Sequence, residues 1–230
     1  MNHDTLGEVW LVGAGCGAAD LITVRGLRLI QRCDAIVYDD LIDEALLREA
    51  PVHAERVYMG KRSGHHSAPQ AEICAELIRQ ARLGRMVVRL KGGDPYVFGR
   101  GGEEMLVLKD EGIPCEEIPG ITSAIAAPAA AGIPVTHRQC SRMVTILTAS
   151  AINSEGKKEA LTQVDYKALA QLQGTLVVLM GMHHLEELAL KLMEAGKSPE
   201  TPAAVIMEGA TIRQRSVRAT LGTIAKTAAE

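Results

Sequence analysis

VRLKGGDPYVFGRGGEE, running from Val88 to Glu104, carries the strongest structural signal in this chain. It follows the apolar Met86-Val87-Val88, which reads as a buried strand, so the stretch itself reads as that strand's C-terminal loop. Five glycines, one proline and six charged side chains fall within these seventeen residues. Gly92-Gly93 lets the backbone come close to a ligand and adopt dihedrals a Cβ would forbid. Asp94-Pro95 initiates a turn, because the proline fixes its own φ and drives Asp94 out of the helical region. Gly101-Gly102-Glu103-Glu104 then opens a helix with acids in the first turn, where the helix dipole favours them. In open parallel α/β sheets, ligands settle in the crevice beyond the carboxyl ends of the strands, and a plain surface turn has no use for so many special residues in succession.

The flanking segments have the β-α-β-α order that makes a parallel sheet covered by helices. Glu8 to Val12 reads as a first strand ending in Gly13-Ala14-Gly15-Cys16-Gly17. A helix is expected over Asp20 to Cys33, a strand over Asp34 to Tyr38, a short helix over Glu44 to Ala50 and a strand over Arg56 to Met59. Gly60-Lys61-Arg62-Ser63-Gly64-His65-His66 follows. Ser67 is placed to cap the next helix, with Pro69 in its first turn and Gly84 as its stop. Beyond the decisive loop, Pro119-Gly120 breaks the chain and Ile121 to Gly132 reads as a helix of small residues. Met143–Thr148 and Thr175–Met180 are expected strands, His183–Ala195 an amphipathic helix, and Ala203–Glu208 and Arg213–Ala219 strands around Gly209-Ala210-Thr211. Ala149 to Val164 is polar and irregular. The expectation is two α/β domains, residues 1–119 with glycine-rich strand-end loops and 120–230 with a mixed sheet.

Composition bounds the function. A chain of 230 residues that is 47% apolar can build a substantial core, and a net charge of −3 argues against a nucleic-acid surface, which carries a basic excess. No apolar run reaches the roughly 20 residues of a membrane span, and no signal peptide is evident at the N-terminus. The five cysteines are scattered and odd in number, a pattern of reduced cytoplasmic thiols rather than a disulfide framework.

Several clusters compete for a role. Gly13-x-Gly15-x-x-Ala18 after a strand, with Asp39 and Asp40 at the end of the next, approaches a dinucleotide-binding fingerprint and keeps an NAD(P)-dependent oxidoreductase open as an alternative. His65-His66 has no third ligand at metal spacing, and no metal site is expected. Cysteines 33, 74 and 115 read as buried thiols, and no nucleophile elbow is present. Pro134-Val135-Thr136-His137-Arg138 adds cations that, with Arg62, Arg89 and Arg100, are expected to form a local basic cavity. Such a cavity suits a small polyanion, with arginine forks matched to carboxylates.

Gly13-Ala14-Gly15 with Asp20-Leu21-Ile22-Thr23, Tyr38-Asp39, Gly60-Lys61-Arg62, RLKGGDPYVFGRGGEE and PGITSAIAAPAAAGIPVTHR (119–138) together resemble the tetrapyrrole methylases, over essentially the whole chain. GRGGEE and GIPVTHR resemble the uroporphyrinogen branch. The resemblance implies a homodimer of two α/β domains with a cleft between them. It implies S-adenosylmethionine as methyl donor, S-adenosylhomocysteine as product, and no metal. The activity implied is C-methylation of uroporphyrinogen III through precorrin-1 to precorrin-2, toward sirohaem and cobalamin. A methylase of a later corrin precursor is the nearer alternative. Cofactor contacts carry over to Cys16, Gly92, Gly93, Asp94, Val97, Thr122, Ser123, Met180 and Gly209. Asp39 takes the place of the proton acceptor and Lys61 of the donor. Substrate carboxylates fall to Arg100 and Arg138, with Glu103 beside them. The sequence departs from the family at Cys16, where a proline is usual, and at Thr148-Ala149-Ser150, where Thr-Gly-His is usual. It ends at Glu230, where a further strand or two is expected, and some relatives are fused to a downstream synthase.

Overall fold

A computed structural model describes residues 6–60, 69–149 and 164–230. The chain divides into two compact units, Met1–Thr122 and Ser123–Glu230.

The first unit is a five-stranded sheet, every pairing parallel: β1 (Glu8–Gly13), β2 (Ala35–Tyr38), β3 (Glu55–Tyr58), β4 (Met86–Lys91) and β5 (Cys115–Ile118), in the order β3-β2-β4-β1-β5. The connecting helices are α1 (Val24–Ile30), α2 (Ala45–Arg48), α3 (Gln70–Arg82) and α4 (Gly101–Asp110). Strand side chains alternate between faces, and the two core clusters follow that alternation. Val12, Ile36, Val88 and Leu90 pack with Leu29 and Ile30 of α1 on one face. Val9, Leu11, Ala35, Val37 and Val87 pack with Ile73 and Leu77 of α3 and Leu108 of α4 on the other. Because all five strands run the same way, their C-terminal loops share one edge of the sheet.

The expected helix over Asp20–Cys33 is shorter. Ala19–Leu21 is a 3-10 turn, and α1 begins only at Val24, where the Thr23 hydroxyl accepts from the Gly26 amide at 3.2 Å. That cap fixes the start. Strand β5 carries Glu116 and Glu117 at its centre; it lies at the sheet edge, paired only with β1, where charge is tolerated. Ser67 lies outside the described residues, and α3 starts after Pro69.

The second unit holds α5 (Ser123–Ala130), β6 (Val144–Thr148), α6 (Tyr166–Gln171), β7 (Thr175–Leu179), α7 (Leu185–Glu194), β8 (Pro202–Met207), β9 (Arg215–Thr220) and α8 (Ile224–Ala229). Both strand directions occur, as expected, but in two separate pairs: β6 with β7 parallel and β8 with β9 antiparallel. The small-residue helix ends two residues past Pro128, whose ring removes one helical hydrogen bond. Among the described residues, no helix is long and apolar enough to cross a membrane.

Candidate active site

Three strand-end loops of the first unit are tied to one another by hydrogen bonds, two of them backbone to backbone and the third through a side chain. Gly93 donates to the Gly15 carbonyl at 2.7 Å and accepts from the Gly15 amide at 3.2 Å, joining the loop after β4 to the loop after β1. Asp94 then clamps both sides: Oδ1 accepts from the Tyr96 amide at 2.8 Å, closing the turn at Pro95, and Oδ2 accepts from the Gly120 amide at 3.2 Å, reaching the loop after β5. Gly120 lies so close that a Cβ there would sit 2.0 Å from the Gly93 carbonyl oxygen. No side chain can occupy that position without moving the loop.

The decisive stretch continues under strain. Phe98 and Arg100 have φ of 54° and 60°, in the left-handed region that non-glycine residues avoid. In the second unit the same region is occupied by Met180, just after β7, and by Glu208 and Ala210, just after β8. All five strained positions follow the C-terminal end of a strand. Strain of this kind costs of order 1–3 kcal/mol per residue and collects at functional sites. Between Glu208 and Ala210, a Cβ on Gly209 would stand 2.4 Å from that of Ala127 on α5.

Asp39, at the end of β2, is half-buried and ion-paired at 2.9 Å with Arg89, whose side chain is 2% exposed. Arg100 and Glu103 form a two-pronged pair on the surface, Nε to Oε1 at 2.9 Å and Nη2 to Oε2 at 2.8 Å. The arginine fork holds the Glu103 carboxyl below its usual range, and the carboxylate raises Arg100 in turn. In the second unit, Arg138 lines an open cavity of about 480 Å³ together with Thr136, His137, Ser141 and Arg142.

The first glycine loop does not form a dinucleotide site. Its Gly15 amide and carbonyl are committed to Gly93, and the helix that should open directly behind it begins at Val24. A pyrophosphate would find the Gly15 amide already taken and no α-helix N-terminus directly behind the loop.

Comparison with known proteins decides the matter. The family model described as "Tetrapyrrole (Corrin/Porphyrin) Methylases" matches residues 8–225. The chain belongs to the tetrapyrrole methylases. It is 52% identical over 223 residues to a protein of Methanocaldococcus jannaschii named uroporphyrinogen-III C-methyltransferase, covering 96% of this chain and 90% of that one. The crystal structure of a Thermus thermophilus uroporphyrin-III C-methyltransferase complexed with S-adenosylhomocysteine superposes with a TM-score of 0.79 at 38% identity, over 96% of this chain and 86% of that one. A cobalt precorrin-4 methyltransferase gives a TM-score of 0.80 at 31% identity, over 94% and 86%.

The methylase fold thus brings Gly92, Gly93, Asp94 and Asp39 to one edge of the first sheet, with Cys16 in the adjoining loop after β1 and Val97 donating its amide to the Asp94 carbonyl at 3.2 Å. Thr122 is the last residue of the first unit and Ser123 opens α5 of the second. Met180 and Gly209 lie in the loops after β7 and β8. Lys61 and Arg62 lie outside the described residues, as do His65, His66 and Ser150. The expectation that Arg89 lines a basic cavity is corrected: it is buried under the sheet edge, neutralised by Asp39 and by Glu104. Sequence reading also passed over Glu104 and Lys91. Their signal was present in two cations, at 89 and 91, on a strand otherwise fit only for a core.

Proposed function

We propose that this chain is an S-adenosylmethionine-dependent C-methyltransferase that converts uroporphyrinogen III through precorrin-1 to precorrin-2, in sirohaem and cobalamin biosynthesis. The observation that carries the reading is the tied loop Gly15–Gly93–Gly120 with its Asp94 clamp. It brings the backbones of the loops after β1, β4 and β5 together at the strand C-termini, in a chain 52% identical to a named uroporphyrinogen-III C-methyltransferase. S-adenosylmethionine is assigned to this loop cluster, with Gly92, Gly93, Asp94 and Val97 holding it from the first unit, beside Cys16. Thr122, Ser123, Met180 and Gly209 are assigned the remaining contacts. Bound there, the sulfonium supplies an electrophilic methyl group.

The rest is positioning, which can provide several kcal/mol of barrier lowering. An electron-rich pyrrole carbon would attack the methyl carbon in line, so that a carbon–carbon bond forms as the sulfur–methyl bond breaks, S-adenosylhomocysteine leaves with the bonding electrons, and a proton is lost as the ring system rearranges. Asp39 accepts that proton, and Lys61 donates one or holds a substrate carboxylate. Arg138 and Arg100 hold further carboxylates. The Arg100–Glu103 pair is exposed, so its net worth is about 0–1 kcal/mol, and a substrate carboxylate can replace Glu103 at little cost. We further propose a cytoplasmic homodimer, encoded alone or joined to a downstream synthase. The five cysteines form no disulfide with one another among the described residues, in keeping with a reducing compartment. Ile125 and Met182 in the second unit expose apolar surface that a second copy would cover.

The test is anaerobic incubation with S-adenosylmethionine and freshly reduced uroporphyrinogen III, followed by mass spectrometry of the tetrapyrrole. A gain of two methyl groups is expected. The likeness to a cobalt precorrin-4 methyltransferase supports a second reading, a later corrin substrate. No methyl gain, with S-adenosylhomocysteine still raising the melting temperature, would select it.

A further inference from the structure

A ring of buried charge lies beneath Asp39, and donor and tetrapyrrole binding give it no task. The pleat of β4 puts Val87, Arg89 and Lys91 on one face, under α3 and α4. Glu104 of α4 is fully buried there. Its Oε1 accepts from Lys91 Nζ at 2.8 Å, from Gln70 at 2.9 Å and from Arg89 Nε at 3.5 Å, while Oε2 has no partner among the described residues. Burial, with the Arg89 charge alongside, pulls the Lys91 ammonium below its ordinary value, and Glu104 opposes this. A buried ion cluster of this kind is seldom worth its desolvation in stability alone. Its presence asks for another reason.

We propose that Arg89 is a positioning residue for the methyl transfer, fixing the orientation of the Asp39 carboxylate, with Glu104 holding Arg89 from behind; the proposal rests on the reading of Asp39 as proton acceptor. The guanidinium has almost no freedom. Nη1 donates to the carbonyls of Val37 at 3.4 Å and Leu90 at 3.1 Å, Nε faces Glu104, and Nη2 is left for Asp39 Oδ2 at 2.9 Å. The other Asp39 oxygen, Oδ1, accepts from the Leu41 amide at 3.2 Å. Both carboxylate oxygens are therefore held from the protein side, one by an arginine locked to three elements. The carboxylate is still 26% exposed, open to a substrate. Lysine could not do this, since only the planar fork reaches two strand carbonyls, a helix carboxylate and Asp39 together.

The test is a double-mutant cycle on the single-turnover methylation rate, read by mass spectrometry, with S-adenosylhomocysteine affinity by calorimetry. Asp39→Asn should slow transfer about a hundredfold. Arg89→Met should slow it by a similar factor while leaving S-adenosylhomocysteine affinity within about twofold, and should cost nothing further in the Asp39→Asn background. Arg89→Lys keeps the charge beside Glu104 and serves if the methionine variant does not fold. It should slow transfer about tenfold in the wild-type background and not at all beside Asp39→Asn. Equal slowing by the Arg89 variants in both backgrounds would show a merely structural role and overturn the proposal, as would no slowing at all while Asp39→Asn is slow. If Asp39→Asn itself is fast, the proton-acceptor reading falls first and the positioning role with it.

Discussion

Asp94 ties two loops with one carboxylate. Its bonds to the amides of Tyr96 and Gly120 each pair a neutral donor with a charged acceptor, a class of bond worth about 1.5–3 kcal/mol. Asp94→Ala removes both and unties the loop after β5. S-adenosylhomocysteine should then bind about 10- to 100-fold more weakly by calorimetry, with the far-ultraviolet spectrum unchanged; affinity kept within threefold would take Asp94 out of the site. The cysteines allow a second test at this scale. Burial pushes the Cys33 thiol up to about 11 and Cys115 up to about 12. At pH 8 their thiolate fractions would be roughly a thousandth and a ten-thousandth, and the thiolate is the reactive form. Cys140 is exposed. Alkylation by iodoacetamide at pH 8, followed by peptide mass spectrometry, should therefore label Cys140 long before Cys33 and Cys115. Raising the pH should speed both about tenfold per unit, and Cys33 should level off first, because the lower of the two raised values is reached first. Asp94 was legible as a turn former from its proline neighbour, but its reach to Gly120 was not, since that contact joins residues 26 apart in sequence.

At the scale of elements, Gly120 is where the sheet's third loop closes on its second. A methyl group there meets the Gly93 carbonyl oxygen at 2.0 Å, and backbone, unlike a side-chain tip, cannot swing aside. Gly120→Ala should destabilise the first unit by about 1–3 kcal/mol, the cost of overpacking, measured by urea unfolding. It should also weaken S-adenosylhomocysteine binding at least tenfold; full affinity would mean that the loops need not touch. Strands β1, β2 and β4 were readable because each is a short apolar run closed by glycine or by acid. Helix α1 was readable in place but not in length, because the apolar spacing of Leu21 and Val24 runs straight through the point where Thr23 caps the helix. Strand β5 escaped notice because Cys-Glu-Glu-Ile has neither a continuous apolar run nor clean alternation, and only its pairing with β1 makes it a strand. The charge ring under Asp39 escaped for a related reason. Arg89 and Lys91 share a face by the period of a strand and Glu104 joins them from a helix. That meeting depends on α4 crossing β4, which no local pattern encodes.

Over the whole molecule, the two units are unequally furnished. In the first, core clusters lie on both faces of a five-stranded sheet and include Leu11, Leu29, Ile30, Ile36, Leu77, Leu90 and Leu108, all essentially inaccessible. In the second, the buried apolar residues among those described are Ala124, Ala126, Ala149, Leu188, Ala189, Leu192 and Ile224, four of them alanines. Burial of apolar surface at about 25 cal/mol per Å² is the main stabilising term, so the second unit has much less holding it closed. Amides open with free energies that track this local difference. Hydrogen exchange at low micromolar concentration should therefore show β1, β2 and β4 as the slowest segments and β6 to β9 exchanging well ahead of them. Equal protection would mean that the second unit is stabilised by something its own core does not supply. A concentration series separates the two sources of such protection. If β7, β8 and α5 slow as the protein is concentrated while β4 does not change, association covers the exposed Ile125 and Met182, because mass action stabilises only the segments that the partner contacts. If no segment responds to concentration over the range in which the sedimentation coefficient is constant, the second unit closes by itself and the proposed dimer is not made through it.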